Sequence, residues 1–153
     1  MTPSDQSPKT RIQVWCQNYP PEPQGVAPIA GTVTRELSTL GNRMLVVTAH
    51  PHYPDPEWGV CLRPYRQVRD EIEVLRLPIW PGRASAGQRI RQDLSSTIAT
   101  TAVVPVLPKA EAVLAICPSL PGLFPAMLQS KLKRIPWVLW LQDMVTDLSL
   151  IHI

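Results

Sequence analysis

The sequence predicts an α/β fold with a doubly wound parallel sheet, and two observations carry this prediction. The first is the order of patterns between Arg11 and Pro54: a β-rich run at Ile12–Cys16, a proline-rich loop, an amphipathic helix, and a second apolar run at Met44–Val47. The second is the continuous apolar run at Ala112–Cys117, which is typical of a central parallel strand. Ligands bind such sheets at the carboxyl ends of the strands, so the loops that follow the strands are the candidate site.

Hydrophobic periodicity predicts three helices. The first carries an apolar stripe of Val26, Ile29, Val33, Leu37 and Leu40 and stops at the C-cap signal Gly41-Asn42. A weaker helix over residues 85–104 has Ile90, Leu94 and Ile98 spaced by four. The third covers residues 120–133, with Ser119 as its expected N-cap.

The predicted strands cover residues 11–17, 43–48, 72–77, 112–117 and 137–141. Right-handed crossovers between them give the strand order 3-2-1-4-5, with helices on both faces of the sheet. Residues 49–69 are predicted to be a long loop, and loops of that length are usually functional or mobile.

Length and composition indicate one domain and exclude several function classes. A chain of 153 residues can bury a real core, and its net charge of +3 without a basic, aromatic-rich stripe does not indicate a nucleic-acid partner. The cysteines at 16, 61 and 117 are too few and too scattered for a disulfide framework or a zinc site, and Cys16 and Cys117 are expected to be buried thiols. Residues 1–9 are expected to be a disordered polar leader without the apolar core of a signal peptide, and no run reaches the ~18 apolar residues of a membrane span.

Several side chains in the predicted loops are candidates for chemistry. Gly25 precedes the first helix, where unpaired N–H groups suit a phosphate, although a plain tight turn explains a glycine there equally well. His50 and His52 follow the second strand and favour the polar lining of a cleft over a metal site, since no third ligand accompanies them. Asp143 and Asp147 follow the last strand and would act as a base, position a hydroxyl, or cap a helix.

The three arginines around the second predicted helix have two interpretations. Arg83, Arg89 and Arg91 flank its apolar stripe, which is compatible with a membrane-surface role. A solvated helix face explains the same residues and is the favoured interpretation.

Residues 148–153 are expected to be a non-native tail. The peptide LSLIHI is what a common sequencing-adapter end encodes when it is translated in frame. On this interpretation the native sequence ends near Asp147 and the domain covers residues 10–147. The alternative is a genuine short C-terminus, which would be unusual directly after the last strand of a parallel sheet.

Five segments, taken in order and spacing, resemble a known pattern: QNYPPEPQGVAP, VVTAHPHYP, VLRLPIWPGR, AVLAICPSL and WVLWLQDMVTD. Together they are similar to the N-terminal half of family 4 glycosyltransferases of the GT-B fold. The strongest likeness is to the bacterial group that builds colanic acid and other exopolysaccharides. It covers about residues 11–147, and although each motif is short, their joint order is fairly specific.

The resemblance implies a retaining, hexosyltransferase-type enzyme of cell-surface polysaccharide biosynthesis. Such an enzyme moves a sugar from a nucleotide-diphosphate donor to a saccharide or lipid-linked acceptor, and no cofactor is implied. The chain would be the Rossmann-like acceptor-side half, and the donor-binding C-terminal half would be missing, so this fragment alone is expected to be inactive. The implied location is cytoplasmic, with peripheral contact at the inner face of the cell membrane.

The resemblance also implies roles for individual residues. Gly25 and Asn18 would belong to the loop near the donor diphosphate, and Asp143 would be catalytic. The residues lining the acceptor cleft would be Glu22, His50, His52, Tyr53 and Gln142. Gln142 and Asp143 stand where many members carry a His-Asp pair, so the non-basic Gln142 is a departure from the pattern. Further departures are the missing tyrosine at residues 27–29 and the loose fit of residues 55–65.

Two other functions fit the same fold. A stand-alone flavodoxin-like module would bind a ligand without catalysis, and a downstream frame encoding a second Rossmann domain with an E-x7-E motif would exclude it. A complete nucleotide-sugar enzyme of other chemistry is disfavoured, because the glycine-rich dinucleotide fingerprint GxGxxG is absent.

Overall fold

A computed structural model describes residues 10–54, 58–117 and 120–142. The predicted leader at 1–9, Ser119, Asp143, Asp147, the tail at 148–153 and the side chain of Cys117 lie outside the described residues. Strands and helices follow one another along the described chain as β1 (Arg11–Cys16), α1 (Val26–Thr39), β2 (Arg43–Ala49), β3 (Tyr65–Arg69), β4 (Ile72–Leu77), α2 (Ala86–Val103), β5 (Ala112–Cys117), α3 (Leu120–Lys133) and β6 (Trp137–Leu141).

These strands form one sheet in the order β3-β4-β2-β1-β5-β6. All neighbouring strands from β4 to β6 pair in parallel, with β1 at the centre between β2 and β5. This confirms the predicted α/β, Rossmann-like class and the predicted order of the five parallel strands. The order changes direction at β1, so the loops after β1 and its neighbours meet at one edge of the sheet.

The prediction of an unbroken loop over residues 49–69 is wrong, because its last part is strand β3. This strand pairs antiparallel with β4 through a two-residue turn at Asp70-Glu71. Both turn residues have positive φ angles, 50° and 63°, as a tight hairpin turn of this type requires. The pair Asp-Glu lacks the usual glycine signal for such a turn, which is why the sequence pattern did not predict the hairpin.

Alternate side chains of the strands enter two separate cores, one on each face of the sheet. Val14, Val46 and Val74 pack under α1, together with Val26 and Ala30 of that helix. The neighbouring strand residues point the other way: Trp15, Val47, Leu75 and Ala115 are buried on the face covered by α2 and α3. The predicted helix layers on both faces are thus present.

Helix α1 packs through small residues and through only part of its predicted apolar stripe, since Val26 is buried and Leu37 packs against the core. Ala27, Ala30, Gly31 and Thr34 are buried, whereas Ile29 is 42% and Leu40 77% exposed. The small side chains let the helix approach the sheet and the loop after β1 closely, and a Cβ at Gly31 would lie 2.6 Å from Cγ of Pro20. Close approach therefore decides which face of α1 is buried.

The predicted apolar stripe of α2 faces away from the sheet. Ile90, Leu94 and Ile98 are 67%, 57% and 61% exposed, whereas Gln92 and Ser96 are buried. Gln92 faces inward because its side-chain oxygen accepts a hydrogen bond from the backbone N–H of Gly82, in the loop after β4. Spacing alone could not predict this, because a polar side chain that satisfies a loop N–H can replace an apolar side chain on the buried face.

Strand β6 has an apolar sequence, WVLWL, yet all five of its side chains are exposed. Its side chains range from 37% exposure for Leu139 to 64% for Val138. A continuous apolar run is typical of a parallel strand covered on both faces. Within the described residues, β6 forms an edge of the sheet and pairs with β5 alone.

Candidate functional site

Three loops meet at the carboxyl edge of the parallel sheet. We call them the first loop (residues 17–25, after β1), the second loop (residues 50–54, after β2) and the third loop (residues 78–85, after β4). The candidate residues Asn18, Glu22, Gly25, His50, His52 and Tyr53 all lie in the first two loops. Residue 142 follows β6, two strands away from β1, and its side chain is partly exposed.

Gly25 is the N-cap residue of α1 and lies beside the second loop. Its backbone has φ 67° and ψ −138°, a conformation that residues other than glycine rarely adopt. A Cβ at this position would lie 3.6 Å from Cε1 of Tyr53, an ordinary contact distance. The backbone angle, rather than crowding, is therefore what requires glycine, and the unpaired N–H groups of the first turn of α1 begin here.

The carboxylate of Glu22 joins the first loop to the second. Its side chain is fully buried, and Oε1 accepts hydrogen bonds from the backbone N–H groups of His52 and Tyr53, each at 2.9 Å. The same oxygen accepts from the side-chain amide of Asn18 at 3.2 Å, and Oε2 accepts from the backbone N–H of Tyr19 at 3.0 Å. The structure thus brings Glu22 and Asn18 together in a network at the base of the loops, although the sequence assigned them to different parts of the site.

His52 is buried and electrically neutral. Its Nδ1 lies 3.4 Å from Oε1 of Glu22, which is ion-pair distance, but burial lowers the pKa of His52 and the charge of Glu22 opposes that shift only in part. Nδ1 lies 2.9 Å from the carbonyl oxygen of His50, which can only accept, so Nδ1 carries the proton. Nε2 is then the acceptor and faces the amide of Asn18 at 3.5 Å.

His50 connects the second loop to strand β3. Its Nε2 donates to the carbonyl oxygen of Trp58 at 3.1 Å, and its Nδ1 forms a 3.0 Å hydrogen bond with the hydroxyl of Tyr65. Burial raises the pKa of Tyr65, so this hydroxyl stays protonated and remains a donor. Sequence reasoning singled out His50 but missed Tyr65, because β3 itself was not predicted.

Arg83 lies in the third loop, at the candidate site. The sequence analysis had favoured a solvated helix face for this residue and had not assigned it to the site. Its guanidinium lies over the ring of Tyr53, 4.4 Å from the ring centre. Its positive charge also contributes to lowering the pKa of His52. An exposed cation therefore stands beside Tyr53, which in turn contacts Gly25.

Arg76 on β4 is the second residue that sequence reasoning missed. It is completely buried, and its guanidinium donates hydrogen bonds to the backbone carbonyls of Ala49 at 3.1 Å, Tyr19 at 3.5 Å and Pro20. It also lies 5.7 Å from the centre of the Tyr19 ring. A signal was present in the sequence, since an arginine inside an apolar strand is almost never fully buried unless its charge is paired or hydrogen-bonded.

Metal-ligand clusters and membrane-spanning helices are both absent from the described part of the chain. No group of three or more His, Cys, Asp or Glu side chains is arranged to hold a metal ion within residues 10–54, 58–117 and 120–142. Over the same ranges, none of α1, α2 and α3 combines the length and the apolar character needed to cross a bilayer.

Comparison with known proteins points to one class. The chain is similar to the protein named "Putative colanic acid biosynthesis glycosyl transferase WcaI" of Escherichia coli (strain K12). The two are 28% identical over 150 residues, which cover 92% of this chain and 36% of that protein. No protein-family model matches the chain. The similarity supports a glycosyltransferase relationship, and this chain spans about a third of the length of that relative.

Proposed function

We propose that this chain is the acceptor-side domain of a retaining family 4 glycosyltransferase of the GT-B fold. The complete enzyme would transfer a sugar from a nucleotide-diphosphate donor to a saccharide or lipid-linked acceptor in cell-surface polysaccharide synthesis. The observation that carries the proposal is Gly25, which begins α1 with a positive φ at the carboxyl edge of the sheet. Similarity to a named colanic acid glycosyl transferase supports the same class of reaction.

The chemistry of the transfer gives Gly25 a definite role. Negative charge builds on the leaving diphosphate as the bond to the sugar breaks, and backbone N–H groups already aimed at it lower the barrier. The start of α1 offers such N–H groups together with the positive end of the helix dipole. Arg83, exposed above Tyr53, adds a positive charge beside the same loop. Asp143 would act on the acceptor hydroxyl, and Gln142 would line the acceptor cleft.

The test replaces Gly25 in an enzyme whose C-terminal half has been joined to this chain. We expect Gly25→Val to lower kcat by about 10²-fold or more, the scale of losing one oxyanion-type donor. The matched control is Gly41→Val: Gly41 lies just after the other end of α1, has φ +88°, and would have nothing within 4 Å of an added Cβ. Both variants carry the strain of a positive φ and should lose stability. The control should nevertheless keep its turnover per folded molecule. Normal turnover per folded molecule in Gly25→Val would contradict the proposal.

The same enzyme is proposed to act in the cytoplasm and to contact the inner face of the membrane through α2. The exposed Ile90, Leu94 and Ile98 form an apolar stripe, and Arg89 and Arg91 are exposed on the same helix. An apolar stripe flanked by cations suits an anionic bilayer surface. Replacing the three apolar residues by serine should abolish sedimentation with vesicles that contain anionic lipids. Val68→Ser, at a 75% exposed site on β3, serves as the control. An equal loss of vesicle binding in the α2 variant and in this control would exclude α2 as the membrane contact.

A further inference from the structure

We propose that Glu22 and Arg76 act together as positioning residues that lock the first loop onto the second and so fix the backbone around Gly25. The inference rests on the proposed function for its catalytic consequence, but the lock itself is a property of this chain. Neither residue reaches the surface, so neither is assigned a contact with substrate. Their effect would be to present the start of α1 and Tyr53 in one geometry.

Glu22 and Arg76 form hydrogen bonds with different backbone groups: Glu22 accepts from N–H groups, and Arg76 donates to carbonyl groups. The carboxylate of Glu22 takes N–H groups, from Tyr19 in the first loop and from His52 and Tyr53 in the second. The guanidinium of Arg76 takes carbonyl groups, from Tyr19 and Pro20 on one side and from Ala49, where β2 ends, on the other. Glu22 therefore ties the first loop to the second loop, and Arg76 ties the first loop to the end of β2, directly before the second loop.

Tyr19 is the residue that both charges hold. Glu22 accepts from its N–H, Arg76 donates to its carbonyl oxygen, and the Arg76 guanidinium faces its ring. Its hydroxyl forms a 2.8 Å hydrogen bond with Thr34 in the middle of α1. The first loop is thus fixed to the second loop and to the body of α1 at one residue, six positions before Gly25.

Stability alone does not explain two buried charges here. Replacing buried charged groups by well-packed apolar ones is often neutral or stabilising, so their retention favours a role in specifying geometry. Burial lowers the pKa of Arg76, and the side chains of Tyr65, Cys16 and Glu22 oppose that shift in part. Preorganised N–H groups need this kind of support if they are to bind charge without rearranging.

The first test uses this chain and measures backbone amide exchange by NMR. Glu22→Gln keeps the shape but places an amide donor where one oxygen accepts an N–H. We expect the N–H groups of Tyr19, His52 and Tyr53 to exchange about tenfold faster or more, while the amides of β1 keep their rates. The matched control is Glu73→Gln, which removes a carboxylate from β4 that pairs with Arg66 at the surface. Unchanged exchange in the loops, or an equal increase throughout the sheet, would overturn the inference.

The second test uses Arg76 and the complete enzyme. Arg76→Met should accelerate exchange in the first loop, and Arg76→Lys, which keeps three donors, should restore part of the protection. In the complete enzyme both Glu22→Gln and Arg76→Met should lower kcat per folded molecule by about tenfold or more, with a smaller change in the acceptor KM. Full turnover in the variants of an active enzyme would refute the positioning role. Absence of sugar transfer by the wild-type enzyme would instead refute the proposed function. The amide exchange rates would then be the only test of whether Glu22 and Arg76 hold the loops in place.

Discussion

Replacing Gly31 by alanine should destabilise the protein, although alanine is the better helix former. A Cβ there would lie 2.6 Å from Cγ and 3.2 Å from Cδ of Pro20, against an ordinary carbon–carbon contact of about 3.5–4.0 Å. The proline ring is rigid, and Arg76 holds the carbonyl group of the same residue, so the loop cannot easily yield. Overpacking of this kind costs about 1–3 kcal/mol, from which up to about 1 kcal/mol of helix propensity is subtracted.

With an overpacking cost of about 2 kcal/mol, the middle of that range, and a helix gain of about 0.5–1 kcal/mol, the net loss should be about 1–1.5 kcal/mol, or a fall in Tm of about 2–6 °C. Urea unfolding followed by far-ultraviolet circular dichroism measures it. Gly87→Ala is the matched control, because Gly87 is also helical but has nothing within 4 Å of its added Cβ. That variant should gain about 0.5 kcal/mol. If the two variants were equally stable, close packing of α1 on the first loop would not be what requires glycine.

Two further predictions concern the buried polar groups around the loops. Tyr19→Phe should cost about 1 kcal/mol of unfolding free energy, because it removes the buried hydrogen bond to Thr34; an unchanged urea midpoint would contradict this. The pKa of His52 is lowered on folding, so the unfolded chain binds the extra proton and stability should fall as pH drops below about 6.5. His52→Gln should flatten this part of the stability profile, and a profile identical to wild type would show that His52 does not titrate on unfolding.

The strand order and the loops that carry the site were predictable from sequence. Continuous apolar runs identified the parallel strands, and the crossover rule then fixed their order, so the first and second loops were correctly placed at the same edge. Gly25 was singled out because it directly precedes a predicted helix, although the sequence left a plain turn and a phosphate contact equally open. Such features can be predicted from the sequence because they depend on residues that are close together in the chain.

The contacts that fix the loops were not predictable. Arg76 lies 54 positions after Glu22, and no local pattern connects a strand arginine with the carbonyl groups of a distant loop. For the same reason the predicted buried face of α2 was wrong, and that of α1 was right at Val26 and Leu37 but wrong at Ile29 and Leu40. Spacing indicated where apolar residues recur, but the buried faces were decided by the close approach at Gly31 and by the bond from Gly82 to Gln92.

Within residues 10–54, 58–117 and 120–142, β6 is an apolar edge strand that pairs with β5 alone, which has a consequence for handling this protein. A strand whose outer N–H and carbonyl groups are unpaired is a template for another strand, and an apolar, uncharged one is the most prone to such pairing. The five residues WVLWL carry no charge, no proline and no glycine to prevent it. Aggregation would begin with a neighbouring molecule adding a strand at β6, and Val138→Lys, at the most exposed position of the strand, is the substitution that should raise solubility most.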